Sequence, residues 1–219
     1  AAATLPAFRG RGFMACLMEA AALEGVKRGH VFSAVLPAEK GLYSYYGRFG
    51  YREYFEAEYT EMQVSELETL AKWEGAGRRL ISPEEALSCQ KEFLSGREGS
   101  IIWNPRDVFY AFSMNHFCKG QLIAAGSPLQ NGFALCTEEN GIQFISETAF
   151  SEKAFPYLMG SILRYAPSAR YRFRMPVGKS RVFLGKEGER TPFGMAKPLG
   201  GWELPLQKEN AAPWLAFPL

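Results

Sequence analysis

The chain has 219 residues, 47% of them hydrophobic and 22% charged, with a formal net charge of +2. This balance excludes a disordered segment and a strongly basic nucleic-acid binder, and suits a globular protein of one large or two small domains. No apolar run reaches the roughly 18 residues a membrane helix needs, and the first residues lack the charged and apolar regions of a signal peptide. A cytoplasmic protein with no membrane partner is therefore expected. Cys16, Cys89, Cys118 and Cys136 are widely spaced without a C-x-x-C, which reads as buried free thiols in a reducing compartment.

In chain order, residues 1–5 read as a short strand and 12–28 as a helix. Phe13, Leu17, Ala20 and Ala21 follow the three-four spacing, and Lys27, Arg28 and Gly29 give a C-terminal signal. Residues 30–36 form a β-type run closed by Pro37, 40–47 two helical turns, and 51–62 a strand of alternating aromatic and charged residues. This alternation is α/β. A polar, partly helical connector follows. Ser82, Pro83 and Glu85 then start a helix that runs to about residue 94. Beyond it come a strand at 100–103, a helix at 106–117, three strands at 121–125, 132–136 and 142–146, a helix at 152–165, and strands at 171–177 and 194–198. The fold class is thus α/β with mixed α+β layers. The domains expected are 1–62, a connector at 63–79, a second unit at 80–200, and a tail at 201–219 that is apolar and interrupted by proline.

The first chemical feature is Leu5-Pro6-Ala7-Phe8-Arg9-Gly10-Arg11-Gly12-Phe13-Met14, small and basic residues at the mouth of an apolar helix. A helix N-terminus carries unpaired N–H groups and about half a positive charge, and glycine lets backbone approach an anion closely. The segment reads as a phosphate cradle, against the plainer reading of a solvated basic turn. It is not the dinucleotide fingerprint, because Ala15 stands where the third glycine belongs. Gly178-Lys179-Ser180 is not a phosphate loop either, because Phe173 stands where its first glycine should be. The second feature is Leu42-Tyr43-Ser44-Tyr45-Tyr46-Gly47-Arg48-Phe49-Gly50-Tyr51, three tyrosines on a short helix, which alone would read as packing. His30 and His116 have no metal-ligand spacing, and no metal is expected. Arg170, Arg172 and Arg174 share one face of a strand, which reads as solvated.

Together the two segments resemble the GNAT superfamily of N-acetyltransferases, in which an R/Q-x-x-G-x-G/A loop binds the pyrophosphate of acetyl-CoA. A downstream Tyr-x-x-x-Gly-aromatic segment there supplies a tyrosine that protonates the leaving thiolate. The loop here is Arg9 to Met14, with Met14 in place of the last Gly or Ala, and the tyrosine four before Gly50 is Tyr46. The combination looks most like the enhanced-intracellular-survival type, whose second GNAT-like unit has no working CoA loop. The specific resemblance covers residues 1 to about 62.

The resemblance implies a partial first GNAT unit, with the chain lacking an N-terminal part, followed by a second such unit. It implies acetyl-CoA as co-substrate, held by Thr4, Leu5, Arg9, Gly10, Arg11, Gly12, Phe13 and Met14. It implies Tyr46 as general acid, with the carboxylate of Leu219 as a candidate base. The acceptor would be a primary amine, on a small molecule or a peptide, attacking the thioester directly. Trp103, Phe109 or Tyr110 of the second unit would line the acceptor cleft. A homo-oligomer is compatible with this reading and nucleic acid is not a partner. The alternative is a non-catalytic, tandem GNAT-like interaction module.

Overall fold

Periodicity and punctuation place most elements. The computed structural model describes residues 4–74, 76, 77, 79–97, 99–125 and 131–204. Its helices are α1 (Phe13–Lys27), α2 (Lys40–Gly47), α3 (Val64–Leu70), α4 (Pro83–Phe93), α5 (Pro105–Phe117), α6 (Phe155–Tyr165) and α7 (Lys179–Leu184). Its strands are β1 (Phe32–Val35), β2 (Arg52–Gln63), β3 (Gln121–Ala125), β4 (Gly132–Glu139), β5 (Ile142–Phe150), β6 (Arg170–Met175) and β7 (Glu189–Pro198). The expected α/β class is the one observed.

Local chemistry explains the boundaries. Ser82 accepts from the Glu85 N–H at 3.2 Å while the Glu85 carboxylate accepts from the Ser82 N–H at 3.0 Å, the reciprocal cap the sequence signalled. Asn104 and Asp107 form the same box at α5.

Three expectations are corrected. Thr4 and Leu5 are not in a strand: Leu5 has φ −53° and ψ 140°, the extended form favoured before proline, and Pro6–Phe8 turn as a 3-10 helix. Residues 1–3 lie outside the described residues. Residues 100–103 form no strand, because the Trp103 N–H donates to the Gln90 side chain at 2.9 Å rather than to a ladder. The last strand starts five residues before Gly194, because Pro192 in its middle hides the β pattern.

The chain forms two compact units, one taking the described residues of 1–55 and 192–207, the other those of 56–191. In the first, β1 pairs antiparallel with β7, Phe32 opposite Pro198 and Val35 opposite Met195. Helix α1 buries only Gly25; Phe13, Leu17 and Leu23 are exposed.

In the second unit the strand order is β2-β6-β5-β4-β3, antiparallel except for β5 beside β6. Its core is built on Ile123, Phe133, Ile145, Leu158, Tyr171 and Phe173, all fully buried. The segment after α3 is stitched to α6: the Lys72 N–H donates to Pro156 O at 2.9 Å and Arg164 to Ala76 O at 2.7 Å. Cys89 and Cys136 are buried free thiols, pushed up to about 11 and about 12 chiefly by burial. Cys16 and Cys118 are exposed, contrary to expectation: Cys16 is on α1, which buries only Gly25, and Cys118 is the residue that ends α5.

Glu58 of β2 holds the end of this unit together. Its buried carboxylate accepts from the N–H groups of Gly178, Ser180 and Gly188 at 2.9, 3.3 and 3.2 Å. Each orphaned buried donor costs about 1–3 kcal/mol. Glu58→Ala should therefore lower unfolding stability by about 3 kcal/mol or more, checked by urea denaturation; a loss within experimental error would show that water replaces the carboxylate.

The β5–β6 ladder is short. Gln143, Phe144 and Ile145 pair with Tyr171, Arg172 and Phe173, and pairing stops there although β5 runs on to Phe150. Leu135 faces Glu147 and Cys136 faces Ile145, so Ser146 of β5 is the extra residue of a bulge, and a bulge bends its strand. Just past it, buried Glu147 accepts from Arg174. Burial pushes the Glu147 carboxyl up to about 7, against the Arg174 charge and hydrogen bond, which lower it. A carboxyl raised on folding binds its proton more tightly than the unfolded chain does, so its contribution falls as pH rises from about 4.5 towards 7. Glu147→Gln should flatten this part of the pH dependence of Tm; a slope identical to that of the parent protein would refute the assignment.

Candidate active site

In the first unit, the segment expected to cradle an anion turns on two glycines. Gly10 and Gly12 have φ of +75° and +80°, and a Cβ at either would meet no atom within 4 Å. The cost of a side chain there is therefore conformational, not steric: the left-handed region disfavours L-residues by about 1–2 kcal/mol. Gly12 is the N-cap of α1, and it makes no side-chain cap; the first turn carries no acid. The leading N–H groups of the helix are thus left facing outward with the positive end of its dipole.

Side chains frame this turn. Arg9 Nε donates to Thr4 O at 3.3 Å, folding the entry back on itself, and the Phe8 N–H donates to Leu5 O at 2.9 Å. Phe8 and Phe13 rings stand 6.4 Å apart, and the Arg11 guanidinium lies 5.3 Å from the centre of the Phe8 ring. Arg9, Arg11 and the open amides together suit a diphosphate. Met14 is within the first turn of α1. The Thr4 carbonyl, expected to face the co-substrate, is engaged by Arg9.

Tyr46 lies near the end of α2, half-buried among other rings. Tyr45 and Tyr51 meet it edge-on at 5.5 and 6.0 Å. Burial, then Tyr45 and Tyr51, raise its phenol above the usual tyrosine value, which keeps its proton in place at neutral pH. The Phe49 N–H donates to Tyr46 O at 2.9 Å, and Gly50 at φ +85° turns the chain so that Tyr51 returns beside Tyr46.

Sequence reasoning missed this partner. Buried Tyr51 shares a 2.7 Å hydrogen bond with Ser33 of β1, which fixes the wall behind Tyr46. The serine within an apolar strand run was the available signal. Tyr43 donates to Pro192 O at 3.1 Å, and Tyr45 packs edge-on against Phe49 at 5.2 Å under the Arg48 guanidinium.

A cleft of about 460 Å³ runs along α1, lined by Ala15, Met18, Ala22, Phe49, Tyr51 and Leu199 among others. Neither the glycine turn nor Tyr46 lines it. Leu219 lies outside the described residues. Trp103 is a core residue of the second unit, which removes it from any cleft, whereas Phe109 and Tyr110 are exposed. No group of three metal-ligating side chains occurs among the described residues. No helix among them is long and apolar enough to cross a membrane.

No known family profile matches the chain, and no curated protein does. Solved structures do. A GCN5-related N-acetyltransferase from Kribbella flavida superimposes with a TM-score of 0.63 at 15% identity, over 88% of this chain and 50% of that one. A conserved protein of unknown function from Enterococcus faecalis V583, described as a probable N-acyltransferase, gives 0.65 at 17% identity, over 90% and 53%. Eis1 from Mycobacterium abscessus gives 0.62 at 13% identity, over 89% and 54%. The fold is therefore that of GNAT N-acetyltransferases, as the motifs led one to expect. The chain spans about half the length of these structures.

Proposed function

We propose that the chain carries the acetyl-CoA-binding and proton-donating part of an N-acetyltransferase that acts on a primary amine. The observation that supports this most strongly is the uncapped start of α1, opened by left-handed Gly10 and Gly12, which alternate with Arg9 and Arg11. Bound acetyl-CoA supplies an activated acetyl thioester. The N–H groups of the first turn of α1 hold its diphosphate, with the two arginines adding charge. Tyr46 keeps its phenolic proton among Tyr45 and Tyr51 and gives it to the sulfur that departs, in a general-acid role. The ring of Tyr51, fixed by Ser33, keeps Tyr46 in one orientation.

The second unit is read as GNAT-like and free of CoA. Its turn from β5 into α6, Ser151 to Ala154, has no glycine and carries Glu152 where phosphate would lie. Calorimetry with acetyl-CoA should give one site per chain, and a panel of primary amines should release thiol from acetyl-CoA. Two sites, or none, would defeat the reading.

A further inference from the structure

The cleft beyond the carboxyl ends of the parallel strands β5 and β6 is where α/β sheets commonly place ligands. Here it measures about 470 Å³ and is lined by Phe93, Phe150, Phe183, Glu152, Lys153 and Lys179 among others. The aromatic floor is tightly joined: Phe93 and Phe150 centroids are 4.6 Å apart, and Phe150 and Phe183 are 4.8 Å apart. Lys179, the first residue of α7, is half-buried on this floor. Its Nζ lies 4.8 Å from the Phe93 centroid and 5.4 Å from that of Phe183.

No carboxylate among the described residues forms an ion pair with this amine. The charged groups around it are Glu92, Glu152 and Lys153 at the cleft and the guanidinium of Arg97, which donates to Val177 O at 2.8 Å. Burial, then the Arg97 charge, hold the Lys179 ammonium below the usual lysine value, and Glu152 acts in the opposite sense. Glu152 and the two ring faces favour the ammonium, but burial outweighs them, so this amine sheds its proton more readily than a surface lysine, and the neutral amine is a nucleophile.

We propose that Lys179 is an acylation site, whose Nζ accepts an acetyl group from acyl thioesters that enter this cleft. The neutral amine attacks the thioester carbonyl. The C–N bond forms, the C–S bond breaks, the thiolate leaves with the electron pair, and the amine's surplus proton passes to it through solvent to give the thiol. The amide product carries no charge to desolvate, and its methyl group gains the aromatic floor. The step needs neither the glycine turn nor Tyr46.

The test uses S-acetyl-N-acetylcysteamine, a thioester with no phosphate, so that failure of the acetyl-CoA reading cannot affect the outcome. The chain is incubated with it at pH 8, and acetyl occupancy is followed by peptide mass spectrometry. Exposed Lys119 and Lys153 serve as internal references. Each unit by which a lysine's pKa is lowered raises its neutral fraction about tenfold. Lys179 should be acetylated several-fold faster than either reference in the folded protein, and at the same rate as they are in urea. A folded-state rate at or below that of Lys153 would overturn the proposal. So would an advantage that persists in urea, since local sequence would then be its source.

Discussion

Gly12→Asp should abolish acetyl-CoA binding in calorimetry while leaving the chain folded. Gly12 caps α1 at φ +80°, and a Cβ there meets no atom, so the substitution creates no clash. Asp is among the residues that tolerate the left-handed region and favour N-caps. What changes is the electrostatics. A carboxylate on the cap takes the N–H groups that the diphosphate needs and sets a negative charge against a negative ligand. Loss of the dipole's attraction and the added repulsion together should cost about 3 kcal/mol, more than a hundredfold in Kd. Gly12→Ala is the companion: it carries the backbone strain without the charge, and should lower stability by about 1 kcal/mol while retaining most of the affinity. Equal binding by Gly12→Asp and the parent chain would remove the cradle.

Tyr46→Phe should act on the other half of the reaction. Removing one oxygen leaves the ring packed edge-on between Tyr45 and Tyr51 and deletes only the proton donor. Acetyl-CoA affinity should stay within about twofold, whereas turnover with a reactive amine should fall by about 10²–10⁴. The pH profile carries the sign. The phenol of Tyr46 is raised above its ordinary value, so the parent should keep its proton donor through neutral and mildly alkaline pH and lose activity only as that phenol ionises. The variant should lack this alkaline fall. Unchanged turnover in a chemistry-limited assay would return Tyr46 to packing.

The fold was legible in the sequence wherever an element carried its own signal. The Ser82–Glu85 box and Pro83 set the start of α4, and Lys27 to Gly29 the end of α1. Misreadings came where tertiary partners decide. Ile101 and Ile102 look like strand residues, but no ladder reaches them, and the side chain of Gln90 takes the next N–H. β7 runs through Pro192, which a local reading excludes from a strand. α7 is a six-residue helix between left-handed Gly178 and Gly185, too short to show a period. At the candidate site, glycine spacing and tyrosine position were visible as motifs. The Tyr51–Ser33 bond was not, because it joins residues 18 apart that only the fold brings together. The Lys179 amine on its aromatic floor was hidden for the same reason: Phe93 and Phe183 come from different helices.

Acetyl-CoA held at the start of α1, with no stable complex at the turn from β5 into α6, is the centre of the proposed function. Hydrogen exchange followed by mass spectrometry, with and without acetyl-CoA, tests it by location. Exchange should slow in peptides covering residues 9–16, where the open amides lie, and stay unchanged across residues 151–160. Protection at 151–160 with none at 9–16 would contradict this placement.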